Sequence, residues 1–127
     1  MKIAIIDIGS NSVRLALTAG GKTLYKRVET ARLSEGLGIS GKLTETAIIR
    51  TAKAVDGFKK QALRDGAEKV YVFATEAVRS ASNGAEFVKH TKERYGIDVD
   101  VISGETEADI GLLGALGYKD GGMIDLG

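Results

Sequence analysis

The sequence predicts an α/β domain: a mixed sheet with packed helices in the order β-β-β-α-β-α-β-α, followed by a last strand that is cut short. Three observations carry that prediction. Short, β-branched apolar runs recur at Ile3-Ala4-Ile5-Ile6 and Val70-Tyr71-Val72-Phe73-Ala74, as in strands buried on both faces. Ile48, Ala52, Val55, Phe58 and Ala62 follow one another at steps of four, three, three and four, which is one stripe of a helix. Gly20-Gly21, Gly66, Gly96 and Gly117 fall where these patterns stop. With 127 residues, 43% of them apolar, the chain can build one core but not two independent domains.

The first strand, Ile3 to Ile6, is broken by the turn formers Asp7-Ile8-Gly9-Ser10-Asn11-Ser12. From Val13 the pattern alternates: Val13, Leu15 and Leu17 share one face, and Arg14, Ala16 and Thr18 share the other, as a half-buried strand requires. Gly20-Gly21 supplies a hairpin turn, and Thr23 to Thr30 returns as a third strand of an antiparallel meander. Leu33 to Lys42, with Gly36, Gly38 and Gly41, reads as a loop. Thr44 is a helix N-cap, and the striped helix after it ends near Gly66. The strand Val70 to Ala74 is followed by a polar turn from Thr75 to Asn83. Asn83 with Glu86 three residues on reads as a capping box for a helix that stops at Gly96. Asp98 to Ile102 is a short strand, and Ser103-Gly104 caps a further helix striped by Ile110, Leu113 and Leu116.

A final strand begins at Met123. There Ile124-Asp125-Leu126-Gly127 repeats Ile6-Asp7-Ile8-Gly9, so a strand-Asp-x-Gly element occurs twice. The expectation is a first lobe over residues 1–120, with residues 121–127 opening a second, similar lobe of a larger protein. Two unrelated buried strands that each end in Asp and Gly are the simpler alternative.

Composition narrows the chemistry. Eighteen Lys and Arg against seventeen Asp and Glu leave a net charge of +1, so no field of the whole chain favours general attachment to nucleic acid or to an anionic membrane. The absence of cysteine removes disulfides, thiolate nucleophiles and Cys-ligated zinc, and fits a reducing compartment. A single histidine, His90, rules out a His-based metal site and makes a Ser-His-Asp triad improbable; between Lys89 and Lys92 it is expected to face solvent. The run Lys2 to Ile8 is too short for a signal peptide or a membrane span, so a cytoplasmic protein is expected.

An anion would therefore need a local cluster. Asp7 closes a buried strand; its carboxylate suits a hard cation, Gly9 lets backbone N–H groups approach phosphate oxygens, and Ser10, Asn11 and Ser12 add short donors. Asp7 hydrogen-bonded to its own loop is the structural alternative. Arg79 follows the strand ending at Ala74, where open α/β sheets place ligands, and a guanidinium there grips phosphate with two donors; capping a helix end is its other use. Arg14 and Arg32 are weaker candidates of the same kind. Glu105 and Glu107 stand in a first helical turn, where they complement the helix dipole or orient and deprotonate water.

These residues resemble a family. Asp7-Ile8-Gly9-Ser10-Asn11-Ser12-Val13-Arg14, Leu33-Ser34-Glu35-Gly36-Leu37, Ala74 to Asn83, and Ile102-Ser103-Gly104-Glu105-Thr106-Glu107-Ala108 are similar, in order, to stretches of the exopolyphosphatase/guanosine pentaphosphate phosphatase group of the actin, Hsp70 and sugar kinase superfamily. The resemblance implies a two-lobed ribonuclease H-like fold with the active site between the lobes. It implies removal of terminal phosphate from inorganic polyphosphate, or of the 5′ phosphate of guanosine pentaphosphate, with Mg2+ and an attacking water. It makes Glu107 the catalytic base, ahead of Glu105, and Gly9, Ser10, Asn11, Ser12, Arg14 and Arg79 the phosphate-binding residues. Asp7 and Asp125 become the metal-site carboxylates. The family pattern continues past the second Asp-x-Gly with another glycine-rich loop and lobe. Little activity is therefore expected of these 127 residues alone, and the whole protein is expected to be a homodimer. A non-catalytic sensor of guanosine tetra- or pentaphosphate and an ATP-dependent kinase of the same superfamily are the alternatives.

Overall fold

A computed structural model describes residues 1–102. Three strands open it, β1 (Lys2–Ile8), β2 (Ser12–Ala19) and β3 (Lys22–Thr30), then α1 (Leu37–Ser40), α2 (Glu45–Arg64), β4 (Lys69–Ala74), α3 (Glu76–Ser80), α4 (Gly84–Tyr95) and β5 (Asp100–Val101). The helix expected after Gly104, Glu105 and Glu107 on it, the strand carrying Asp125, and the lobe boundary near residue 120 lie outside the described residues.

The five strands form one sheet in the order β3-β2-β1-β4-β5. β2 runs antiparallel to both neighbours, whereas β1, β4 and β5 are parallel. The expected meander and mixed sheet are both present. Pleating gives the sheet two faces. Ala4, Ile6 and Ile8 of β1, Val13, Leu15 and Leu17 of β2, and Val72 and Ala74 of β4 join the main core with the stripe of α2. All five stripe residues of α2 are buried. Burying Ile48, Val55 and Phe58 is worth about 1.5–3 kcal/mol each. The helix starts where Thr44 Oγ1 accepts from the Ala47 N–H at 3.1 Å, as expected of its cap. The second face carries a smaller cluster of Ile5, Phe73 and Ile102, flanked by Ile3, Ala16 and Tyr71.

β3 is an edge strand and mostly exposed, with Lys22, Lys26, Arg27 and Glu29 along it. Such charges discourage pairing with another chain. Tyr25 ties it to the end of α2 by donating to Asp65 Oδ2 at 2.5 Å; partial burial first, and this neighbouring carboxylate second, push the phenol pKa up.

Several expectations are corrected. The loop from Leu33 to Lys42 contains the one-turn helix α1, closed at each end by a left-handed glycine, Gly36 and Gly41. The polar turn after β4 contains α3. β5 keeps only two residues of the expected strand from Asp98 to Ile102. α4 does end at left-handed Gly96, but Asn83 makes no side-chain cap. Its Oδ1 instead accepts from the Leu43 N–H at 2.7 Å, and its Nδ2 donates to the Leu43 carbonyl at 3.0 Å. An amide that satisfies both backbone groups of a buried residue, Leu43, gains more than one that caps an exposed helix end. His90 is only partly open to solvent: it is half-buried, and among the described residues its covered Nε2 has no hydrogen-bond partner.

Candidate functional site

One edge of the sheet collects the segments that carry the described candidate residues. Ile8 is level with Ala74 across the parallel β1–β4 pair, Ala74 with Val101, and Ser12 with Thr30. The turn after β1, the segment after β3, α3 and Ile102 therefore all emerge together. This is the carboxyl-terminal edge of the parallel strands, where open α/β sheets bind ligands.

Asp7 is set by the pleat. Ile6 and Ile8 on either side of it point into the helix-covered core, so Asp7 faces the opposite side, with Arg14 of β2 and Phe73 of β4 as its cross-strand neighbours. It is only 4% exposed. Keeping a carboxylate from water is costly, so such a group at a strand end marks either a structural ion pair or a site. Arg14 stands directly opposite it on β2, on the same face of the sheet.

The turn after Asp7 turns its carbonyls inward. The Ser10 carbonyl accepts from Ser34 N–H at 3.0 Å, and the Asn11 carbonyl accepts from Ala31 and Arg32 N–H at 3.1 and 2.8 Å. A trans peptide places N–H and C=O on opposite sides, so these anchors aim the Asn11 and Ser12 N–H groups the other way. That is the polarity an anion needs. Gly9 also has a part within the turn itself. Its N–H is committed to the Ser12 carbonyl at 3.0 Å, and a Cβ there would lie 3.2 Å from the same oxygen. Gly9 closes the turn, and the outward donors come from the residues after it.

Arg79 sits in the last turn of α3. Its Nη1 donates to the Ile102 carbonyl and its Nη2 pairs with Glu76 Oε2 at 2.6 Å. The Ser80 hydroxyl first, and then Arg79, hold the Glu76 carboxyl below the usual carboxylate range. Arg79 thus fastens the chain where it leaves β5, with a third of its side chain still exposed. A groove of about 980 Å³ between α3, α4 and β5 includes Arg79 in its lining, but neither Asp7 nor the turn after it. Lys92 and Asp98, both lining it, already pair at 2.9 Å.

Arg50 of α2 carries no sequence signal for a role here. In the structure it donates from Nε to the Ala31 carbonyl at 2.6 Å and from Nη2 to the Arg32 carbonyl at 3.2 Å, and pairs with Glu35 at 2.9 Å. The clue lay in Glu35, an acidic residue within the motif from Leu33 to Leu37.

Asp7, Ser10, Asn11 and Ser12 offer carboxylate, hydroxyl and amide oxygens, the hard donors that suit Mg2+. Among the described residues no group of three or more His, Cys, Asp or Glu side chains is close enough to cage a metal. A single carboxylate still fits, because Mg2+ is commonly held by one or two carboxylates with substrate phosphates and water completing its shell. Among the described residues, no helix is long and apolar enough to cross a membrane.

The sequence profile of the Ppx/GppA phosphatase family matches residues 6–127. The chain belongs to that family. It is 28% identical over 134 aligned residues to exopolyphosphatase 1 of Mycobacterium bovis, covering 99% of this chain and 39% of the relative. It is 35% identical to the guanosine-5'-triphosphate,3'-diphosphate pyrophosphatase of Photobacterium profundum, covering 98% of this chain and 27% of that protein. Among solved structures, the Aquifex aeolicus member of the Ppx/GppA family superposes with a TM-score of 0.82 at 34% identity, over 91% of this chain and 39% of that one. The ribonuclease H-like, actin-type lobe expected of this family is the fold observed. The chain spans about two fifths of the length of the first of these relatives.

Proposed function

We propose that this chain is the first lobe, residues 1–120, of a phosphoanhydride hydrolase, and that residues 121–127 begin the second. The whole protein removes terminal phosphate from inorganic polyphosphate, or the 5′ phosphate of guanosine pentaphosphate, in the cytoplasm. Similarity to an exopolyphosphatase and to a guanosine pentaphosphate pyrophosphatase supports both substrates without choosing between them. The observation that carries the reading is the turn after β1, whose carbonyls are anchored inward beside the buried carboxylate of Asp7.

In this reading the N–H groups and short side chains of Ser10, Asn11 and Ser12 hold a phosphate, and Arg14 and Arg79 neutralise it further. Gly9 keeps the turn closed. Asp7, with Asp125 of the second Asp-x-Gly, would hold Mg2+, which when bound supplies positive charge to the phosphate oxygens. Glu107 is the base that takes a proton from the attacking water.

The test is phosphate release by the whole protein from tripolyphosphate and from guanosine pentaphosphate, with and without Mg2+. Glu107→Gln is expected to lower turnover by about 10²-fold or more while binding is kept, the loss typical of a missing general base. Tight binding with no turnover in the wild type would instead indicate a sensor, and phosphate transfer to a sugar or acetate would indicate a kinase.

A further inference from the structure

Resting on the phosphate-loop reading above, we propose that Arg50 is a positioning residue: it fixes the segment 31–35, which in turn sets the direction of the phosphate-binding N–H groups. The contacts form a relay. From α2, the guanidinium spans two successive carbonyls, Ala31 and Arg32, and the Glu35 carboxylate. The same segment turns its N–H groups of Ala31, Arg32 and Ser34 onto the Asn11 and Ser10 carbonyls. The Ala31–Arg32 peptide is thus held from α2 through its carbonyl and grips the loop through its N–H, and the next carbonyl, that of Arg32, is held from α2 as well.

Two further features mark the relay as built. Arg32 has φ of 51°, a left-handed conformation that costs a non-glycine residue on the order of 1 kcal/mol and persists only where its surroundings hold it. Both of its backbone polar groups are held, the N–H by Asn11 and the carbonyl by Arg50. Convergence of the Ala31 and Arg32 N–H groups on one oxygen fixes the Asn11 carbonyl more firmly than a single bond would. Arg50 itself is 30% exposed, so its charge is partly solvated, and its fork geometry is what the segment uses. A lysine keeps the charge but presents a single point donor on a flexible stem, unable to span both carbonyls and Glu35.

The experiment compares Arg50→Lys with Lys53→Gln in the whole protein, using tripolyphosphate and Mg2+. Arg50→Lys is expected to raise KM about 10-fold or more, the usual cost of losing a residue that orients a ligand-binding group, with kcat changed much less. Lys53→Gln removes a charge from the same helix and touches neither carbonyl, and it is expected to leave KM within about twofold. Hydrogen exchange provides a second readout that does not depend on activity: in Arg50→Lys, amides of residues 9–12 and 31–35 exchange faster while those of β4 do not. An unchanged KM, or unchanged exchange across residues 9–12, overturns the proposal. If Asp7→Asn is inactive while Arg50→Lys behaves as wild type, the relay alone is wrong. Should Asp7→Asn be fully active, the phosphate-loop reading beneath it fails instead.

Discussion

Asp7→Asn in the whole protein is expected to lower kcat/KM for tripolyphosphate by about 10³-fold and to weaken the response to Mg2+. The substitution keeps the size and shape of the side chain, removes its charge and turns one acceptor oxygen into an amide donor. The site is 4% exposed and bounded by strand neighbours, so an electrostatic contribution here is larger than it would be in water. Since asparagine fills the same space between Arg14 and Phe73, the melting temperature is expected to move by only a few degrees. A steady-state assay with calorimetry on the same samples separates the two effects. Loss of activity together with loss of the fold would place Asp7 in a structural ion pair, the alternative its burial leaves open.

The second large effect concerns stability. Gly84 begins α4 directly against α3, and a Cβ there would lie 2.0 Å from the Val78 carbonyl oxygen and 3.0 Å from its carbon. Those atoms are backbone, so α3 and α4 must separate to make room. Gly84→Ala is expected to destabilise by about 3 kcal/mol, the upper part of the overpacking range. The displacement also disturbs the Asn83 clamp on Leu43 next to it. Gly57 provides the opposite case: it lies exposed within α2 with nothing within 4 Å of a built Cβ. Gly57→Ala is expected to stabilise by about 0.5–1 kcal/mol through helix propensity. Urea unfolding of both variants tests the pair, and destabilisation of similar size in each would contradict the packing described.

Legibility in the sequence followed the length scale of each interaction. The α2 stripe could be read because five residues repeat one helical period against a single core face. β1 and β4 could be read because burial on both sides leaves uninterrupted apolar runs. α1 and α3 could not, since one turn is shorter than the period that reveals a helix, and glycine or polar residues fill them. Asn83 was misread because its local cap pattern competes with a partner forty residues away in sequence, and the distant partner wins. In the site, Asp7 and the turn after it were visible as a strand end with turn formers. The inward anchoring of the Ser10 and Asn11 carbonyls was not, because their donors lie on the far side of β2 and β3. Arg50 was hidden for the same reason: an arginine on a half-exposed helix face looks like a solvated charge until the fold brings residues 31–35 beneath it.

The most direct measurement is a crystal structure of the whole protein with tripolyphosphate and Mn2+ in place of Mg2+, the ion located by its anomalous signal. The account predicts the ion beside the Asp7 carboxylate, directly or through one water, and a phosphate oxygen about 3 Å from the Asn11 and Ser12 nitrogens. Ion and phosphate seated instead in the groove between α3, α4 and β5, with the turn after β1 bare, would contradict it.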